Sequence, residues 1–324
     1  MKYNHVASFI FVFLFFWCLA AHSLAQIIFT TIDDPLGVDG TQARGISGNN
    51  IVGSYYDANN QPHGFLFNGS TYTTLDDPAG FFTIASGVSG NNVVGSFYNR
   101  TTGQYSGFLY NGSSYTALND PLATNGTFAS GISGNNVVGT YEIGSTEYGF
   151  LYNGSTYTTL STPLGPSAHN SVAGIDGNKI AGSYSSNGNY YQGYLFNGTT
   201  YTTINDPLAA NLPSGESGTE IGGISGNNIV GLYIGSNDLI HGFIFNGTTY
   251  ANVDDPAENP NGINGVLGVD GNNLVGIYQD TTTGQFDGFE ATVTSPEPSV
   301  LALFGIGFLA LGLLRALRLV RNRE

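Results

Sequence analysis

The residues of this chain with the clearest chemical potential are aspartates standing just before prolines. Asp33-Asp34, Asp76-Asp77 and Asp254-Asp255 are paired, and Asp120 and Asp206 stand singly in matching places. Two facing carboxylates can cleave a glycosidic bond, one as acid and the other as base or nucleophile. Carboxylates and carbonyls gathered together also suit a hard cation such as calcium. These eight aspartates are therefore the candidate ligand or calcium residues. Recurrence argues for a structural task instead: an aspartate accepts backbone N–H bonds in a turn, and the proline fixes φ as a strand ends. One repeat carries Ser161-Thr162 in their place.

Other chemistries find less support. There is no nucleophile elbow, phosphate-binding loop, zinc spacing or dinucleotide fingerprint. Cys18, the sole cysteine, lies in the N-terminal apolar stretch, so the following domain has no thiolate chemistry or disulfide. His63 and His241 open equivalent strands in the first and fifth repeats, which are not adjacent in a ring of six, and are expected to be edge residues rather than metal ligands. The expectation is a non-catalytic protein; the rival is a polysaccharide lyase or glycosidase.

The elements that position these residues come from a tandem repeat. Gly45-Ile-Ser-Gly-Asn-Asn-Ile-Val-Gly-Ser-Tyr-Tyr56 returns at Gly87 and Gly131, and more loosely at Gly174, Gly223 and Gly268. The spacings are 42, 44, 43, 49 and 45 residues, a period that marks a repeat architecture. Each repeat offers four strand candidates. In the first they are A (41–47), B (50–56), C (64–67) and D (71–75), rich in Val, Ile, Tyr, Phe and Thr and punctuated by turn residues. A glycine recurs in strand B at 53, 95, 139, 182, 231 and 276, expected where a neighbouring backbone or ring packs close. Asn-Gly between strands C and D (Asn68-Gly69 and its copies) predicts a two-residue type I′ hairpin turn.

The ends of the array decide its architecture. The last repeat has strand C (288–293) but no strand D, while 27–34 copies strand D at the start of the chain. A ring closed by its N-terminal strand needs this displacement, and an open solenoid gains nothing from it. The expected fold is all-β: a six-bladed β-propeller of four-stranded blades over 26–294, with 27–34 as the outer strand of the last blade. A–B and C–D turns would share one face, and the variable B–C and D–A connections the other. From each proline to the next repeat's glycine the D–A segments run 10, 9, 10, 11, 16 and 12 residues, the longest covering 208–219 with Pro213, Gly215 and Glu216. Variable loops on a rigid ring are where binding resides, so any ligand is expected on that face, with Tyr stacking on sugar rings.

Both chain ends read as export signals. Residues 1–25 form a secretory signal peptide, with Lys2, an apolar run and Ser23-Leu24-Ala25 before the cut. Between the apolar ends, 26–295 carries 21 acids against Arg44, Arg100 and Lys179 alone, which excludes nucleic acid as a partner. After Pro296-Glu297-Pro298 comes an apolar run from 300 to 314, then Arg315, Arg318, Arg321 and Arg323. About 20 residues span a bilayer; arginines at the end place that end in the cytoplasm and the repeats outside.

The tail, 295–324, resembles the PEP-CTERM sorting signal of Gram-negative bacteria, since Pro-Glu-Pro, apolar helix and arginine-rich end occur in order at the C-terminus. That resemblance implies an exosortase as partner, a membrane-held precursor cut near Pro296-Glu297-Pro298, display at the cell surface or in the matrix, and an association with exopolysaccharide. The repeats resemble the extracellular repeats named for a His-Ala-Phe tripeptide (HAF repeats). The matching pieces are Gly131-Ile132-Ser133, Val137-Val138-Gly139 and Gly149-Phe150-Leu151-Tyr152. Ser or Asp replaces the family's Asn, and Gly replaces its Ala. This second resemblance implies an extracellular β-rich domain and brings no defined activity.

Overall fold

The computed structural model describes residues 26–165, 168–186, 190–210, 217–256 and 263–294. The expected signal peptide and sorting tail, with Pro296, Glu297, Pro298, Arg315, Arg318, Arg321 and Arg323, lie outside these residues, as do Pro213, Gly215 and Glu216. Among the described residues no helix is long and apolar enough to cross a membrane.

The chain begins with β1 (Ile27–Ile32) and then runs through antiparallel meanders. The first is β2 (Thr41–Ser47), β3 (Asn50–Tyr56), β4 (Pro62–Phe67) and β5 (Tyr72–Leu75). The second is β6 (Gly80–Ser89), β7 (Asn92–Asn99), β8 (Gln104–Tyr110) and β9 (Tyr115–Leu118). The third is β10 (Gly126–Ser133), β11 (Asn136–Ile143), β12 (Thr146–Tyr152) and β13 (Tyr157–Leu160). The fourth is β14 (His169–Asp176), β15 (Lys179–Ser185), β16 (Tyr190–Phe196) and β17 (Tyr201–Ile204). The fifth is β18 (Ser217–Ser225), β19 (Asn228–Ile234), β20 (Ile240–Phe245) and β21 (Tyr250–Asn252). The last is β22 (Asn264–Asp270), β23 (Asn273–Gln279) and β24 (Phe286–Val293), completed by β1 in the order β1-β24-β23-β22. Parallel bridges at the starts of β10 and β18 tie each to strand C of the preceding meander.

Within 29–292 these meanders are the blades of a β-propeller. Strand A of each touches strand A of the next through the repeat glycine. A Cβ on Gly45 would lie 3.1 Å from the Cα of Gly87, one on Gly87 3.0 Å from Gly131, and one on Gly131 2.9 Å from Gly174. The series continues through Gly223 and Gly268 and returns to Gly45 at 3.0 Å. Only a residue without a side chain permits this approach. The apolar core lies between blades rather than within one. Val52 of β3 packs with Leu75, Ala85, Val88, Val93, Phe97 and Phe108, and Val275 of the last blade with Ile32, Ala43, Ile46, Ile51, Tyr55 and Phe65 of the closing region.

The N-terminal strand occupies the place expected for it. Thr294 N–H donates to the Gln26 carbonyl, and the ring of Phe29 meets Phe289 edge-on at 5.4 Å. Side chains at the end of strand A also knit the blades. Ser47 accepts from Gly90 N–H, Ser133 from Gly177 N–H at 3.1 Å, and Asp176 from Gly226 N–H at 2.6 Å. Asp270 accepts from Gly48 N–H at 2.7 Å, joining the last blade to the first.

The turn chemistry differs from expectation at one place. The A–B turns are two-residue turns, closed by pairs such as Ser47 with Asn50, and their first glycines have φ of +58 to +62°. The C–D connection is not a two-residue type I′ turn: Phe67 and Tyr72 are the last pair, so four residues form the loop. Gly69 has φ +89°, and Asn68 is not among the residues with positive φ. The reason lies in the Asn side chain, whose Oδ1 accepts the N–H groups of Ser70 and Thr71 at 3.1 and 2.9 Å, so the loop satisfies its own backbone. Strand C also starts two residues earlier than expected in the first blade, because the B–C hairpin stays paired from Tyr55–His63 to Tyr56–Pro62.

The outer strands β5, β9, β13, β17 and β21 are each held by one tyrosine, and β1 by Phe29. Tyr72 lies 4.5 Å from the Phe67 ring and 5.6 Å from Phe65, and Tyr115, Tyr157, Tyr201 and Tyr250 repeat the arrangement. Burial pushes the Tyr72 hydroxyl up to about 12. These tyrosines are structural anchors at the C–D end, not stacking platforms.

Candidate binding face and central channel

The D–A and B–C connections share one face, as expected. Asp39 N–H donates to the Tyr56 carbonyl, Arg100 N–H to Ala79, Thr124 N–H to Glu142 and Ala210 N–H to Ile234, so these four D–A loops are bonded to the B–C ends of the blades they lead into.

The proline-linked aspartates on this face are turn residues. Asp34, Asp77, Asp120, Asp206 and Asp255 are buried. Oδ1 of Asp34 accepts Leu36 N–H at 2.9 Å, Asp77 accepts Ala79, Asp120 accepts Leu122 and Asp206 accepts Leu208. A threonine of the following strand A accepts the aspartate's own N–H: Thr41 for Asp34, Thr83 for Asp77, Thr127 for Asp120 and Thr219 for Asp206. In the fourth blade Thr162 takes the aspartate's part, accepting Leu164 N–H through its hydroxyl. Among the described residues no three His, Cys, Asp or Glu groups converge to hold a metal. The eight candidate carboxylates are thus distributed one turn at a time, not gathered into a calcium cage or a single acid–base pair.

The outer aspartates bind neighbours. Asp76 Oδ2 lies 2.8 Å from His63 Nδ1, and Asp254 Oδ2 lies 3.0 Å from His241 Nδ1. Each imidazole stacks on a tyrosine, His63 on Tyr55 and His241 on Tyr233. Asp33 accepts from the Thr41 hydroxyl. In the last blade Asp287 holds the histidine's position, and its carboxyl is pushed up by burial first and then by Asp33 and Asp280.

The buried turn aspartates have a consequence for pH. Burial raises the carboxyls of Asp34, Asp77, Asp120 and Asp206, outweighing the N–H bonds that lower them. A carboxyl raised in the fold holds its proton more tightly there than in the unfolded chain. Acidification therefore relieves a neutral-pH cost, starting as pH falls through the raised folded value and complete below the ordinary one. Asp57 and Asp280, lowered by the backbone bonds they accept, act in the opposite direction but stand in solvent. The melting temperature should be several degrees higher at about pH 4.5 than at about pH 7.5. Asp77→Asn keeps the Oδ1 acceptor without titrating, so it should flatten part of that rise. A melting temperature that falls over the interval contradicts the assignment.

Two features of this face went unread in the sequence. The first is an aromatic stripe crossing the second and third blades. Phe82 contacts Phe81 at 4.5 Å, Phe81 contacts Tyr98 at 5.2 Å, Tyr98 contacts Tyr105 at 5.4 Å and Tyr105 contacts Phe128 at 5.2 Å. All five are half-buried, and the Arg100 guanidinium lies over the Phe81 ring at 5.3 Å. Phe82 has φ +57°, a left-handed conformation that is strained for an aromatic residue. The second is a set of exposed leucines, Leu36, Leu122, Leu164 and Leu208, each directly after the proline of its D–A turn. Their N–H groups close the turn and their side chains are left outside.

The stripe ends at Phe128 of β10, an inner strand, and along these inner strands the repeat breaks down. Strand A carries a bulge in every blade, at Arg44, Ser86, Ser130, Ala173, Gly222 and Leu267. Two residues earlier stand Gln42, Ile84, Phe128, Ser171, Glu220 and Gly265, six different residues, whereas the bulge itself repeats only serine, at Ser86 and Ser130. Ser171 and Glu220 also line a polar cleft of about 320 Å³ with Glu147, Ser183 and Tyr191.

No protein-family model matches this chain, and no curated protein matches it. Solved structures similar to it are propellers at low identity. The Trypanosoma rangeli sialidase aligns at 11% identity and a TM-score of 0.49, covering 83% of this chain and 59% of that one. The β-propeller domain of the Trilobed protease from Pyrococcus furiosus aligns at 10% and 0.47, covering 81% and 98%. The Aleuria aurantia lectin, in complex with a fucosyl-GlcNAc, aligns at 12% and 0.44, covering 84% and 100%. At such values the propeller assignment rests on the strand order and ring contacts described above, not on these likenesses.

Proposed function

We propose that this chain is an exported, six-bladed propeller that binds a polysaccharide on its D–A and B–C face without cleaving it. The observation that carries this reading is the aromatic stripe Phe82-Phe81-Tyr98-Tyr105-Phe128. Partly exposed rings in a row offer flat apolar area to the C–H faces of successive sugars, at low entropic cost because each ring has two rotatable bonds. Arg100 beside the stripe and the backbone and side-chain acceptors of the loops suit hydroxyl groups. Asp34, Asp77, Asp120 and Asp206 argue against the lyase or glycosidase alternative, since each accepts a backbone N–H in its own loop. A glycan array probed with the full-length protein tests the proposal. Retention of at least one polysaccharide, intact after prolonged incubation, is expected. Retention of none, or shortening of the retained chains, would overturn it.

The address belongs to the same proposal. In this reading the apolar N-terminal stretch, the apolar tail and the terminal arginines direct the propeller across the cytoplasmic membrane of a Gram-negative bacterium, where it is first tethered and then processed by an exosortase for surface or matrix display. Exopolysaccharide is then the ligand at hand. Replacing Pro296, Glu297 and Pro298 with alanine should leave a full-length membrane-bound form and reduce release. Unchanged processing of that variant would mean that the tail serves only as an anchor.

A further inference from the structure

The second basic residue of interest on this domain is Arg44, and its setting differs from that of Arg100. It is the bulged residue of β2, next to Gly45, through which strand A of the first blade meets its neighbours around the ring. Its Nη2 donates to Gln42 Oε1 at 2.6 Å, a neutral acceptor two residues back along β2, toward the D–A end. Its Nε is buried with no hydrogen-bond partner. Among the described residues no ion pair joins Arg44 to a carboxylate, although the domain holds 21 acids. Burial pulls the guanidinium below its ordinary value, and only the neighbouring Tyr56 acts against that.

Arg44 is half-buried, and a guanidinium whose inner nitrogen is shut off from water without a counter-charge is costly unless an anion completes it. The five other blades place Ser86, Ser130, Ala173, Gly222 and Leu267 at the equivalent position, so no structural rule of the repeat demands a cation there. The residue occurs in one blade alone, has no carboxylate partner, and stands on the inner strand of that blade.

We propose that Arg44 is an anion-binding group of that inner strand and takes a single carboxylate. A guanidinium presents paired N–H donors that match the two oxygens of a carboxylate. One positive charge inside a strongly acidic domain neutralises a monoanion, whereas a dianion would carry excess charge into a repelling field. That the carboxylate belongs to a uronic acid rests on the polysaccharide reading above; that the site binds a carboxylate does not.

The test is calorimetric titration of the full-length protein with sodium D-glucuronate, with glucose and sodium sulfate at matched ionic strength as comparisons. Saturable glucuronate binding is expected, with none for glucose and weaker binding of sulfate. Arg44→Gln should weaken glucuronate binding by about tenfold or more, and Arg44→Lys, which loses the planar fork, should weaken it too. Lys179→Gln, on the A–B side where Lys179 donates to the Gly226 carbonyl, should leave it unchanged. Absence of saturable binding, equal binding by Arg44→Gln, equal binding of glucose, or tighter binding of sulfate would each overturn the assignment. Glucuronate binding together with an empty glycan array would sink the polysaccharide reading and leave this one standing.

Discussion

Deleting residues 27–34 should lower the melting temperature by about 10 °C and increase self-association relative to the intact protein. β1 is the outer strand of the last blade, so its loss leaves the N–H and C=O groups of β24 as an open edge. It also removes Ile32, 3% exposed, from the cluster that packs the last blade against the first, and Phe29 from the edge of Phe289. Each such side chain contributes about 1.5–3 kcal/mol of burial, and a domain of this size loses about 2–4 °C per kcal/mol. Calorimetry with size-exclusion chromatography reads both effects. An unchanged melting temperature would mean that the ring is closed by something other than β1.

A second large effect is expected from Gly139→Val. A Cβ at Gly139 would overlap the Phe128 carbonyl oxygen and lie 2.9 Å from both Ala129 Cα and Phe150 Cε1. Two of the three obstacles are backbone, so the blade must open to accept the side chain, at about 3 kcal/mol or more. Gly134→Ala is the matched comparison. That residue has φ +60° but open space around its Cβ, so only conformational strain of about 1–2 kcal/mol is at stake. Denaturant titration of the two variants should separate them by more than the measurement error. Equal losses would show that strand B glycines serve backbone conformation rather than close packing.

The propeller was legible in the sequence because its determinants are periodic. Strand B glycines recur where a ring of strand C and the carbonyls of strand A leave no room, and the displaced copy of strand D at 27–34 has no use except to close a ring. The Asn-Gly turn was misread because the dipeptide is shared by two turn geometries, and the choice between them is made by Asn68 Oδ1 capping Ser70 and Thr71. The proline-linked aspartates drew attention as chemistry because repeated acids look like ligands, yet their repetition reflects one turn built in successive blades. The inner strands were opaque for a different reason. The bulge at Arg44 shifts the register between Ala43 and Gly45, so the alternation of faces along strand A is interrupted at the residue that matters. Phe81 and Phe82 fall in a second irregularity of β6, between Phe81 and Ile84, that the other blades lack. A reading tuned to what recurs passes over what occurs once, and the candidate site is built from such residues.

The most direct test of the binding face compares its two sides on one retained polysaccharide. Tyr98→Ala removes the centre of the stripe, and Asn135→Ala alters an exposed A–B turn on the opposite face. Isothermal titration should show Tyr98→Ala binding about tenfold more weakly, with Asn135→Ala unchanged and both proteins folded by their melting curves. Equal affinities for the two variants, or a loss confined to Asn135→Ala, would contradict the assignment of binding to the D–A and B–C face.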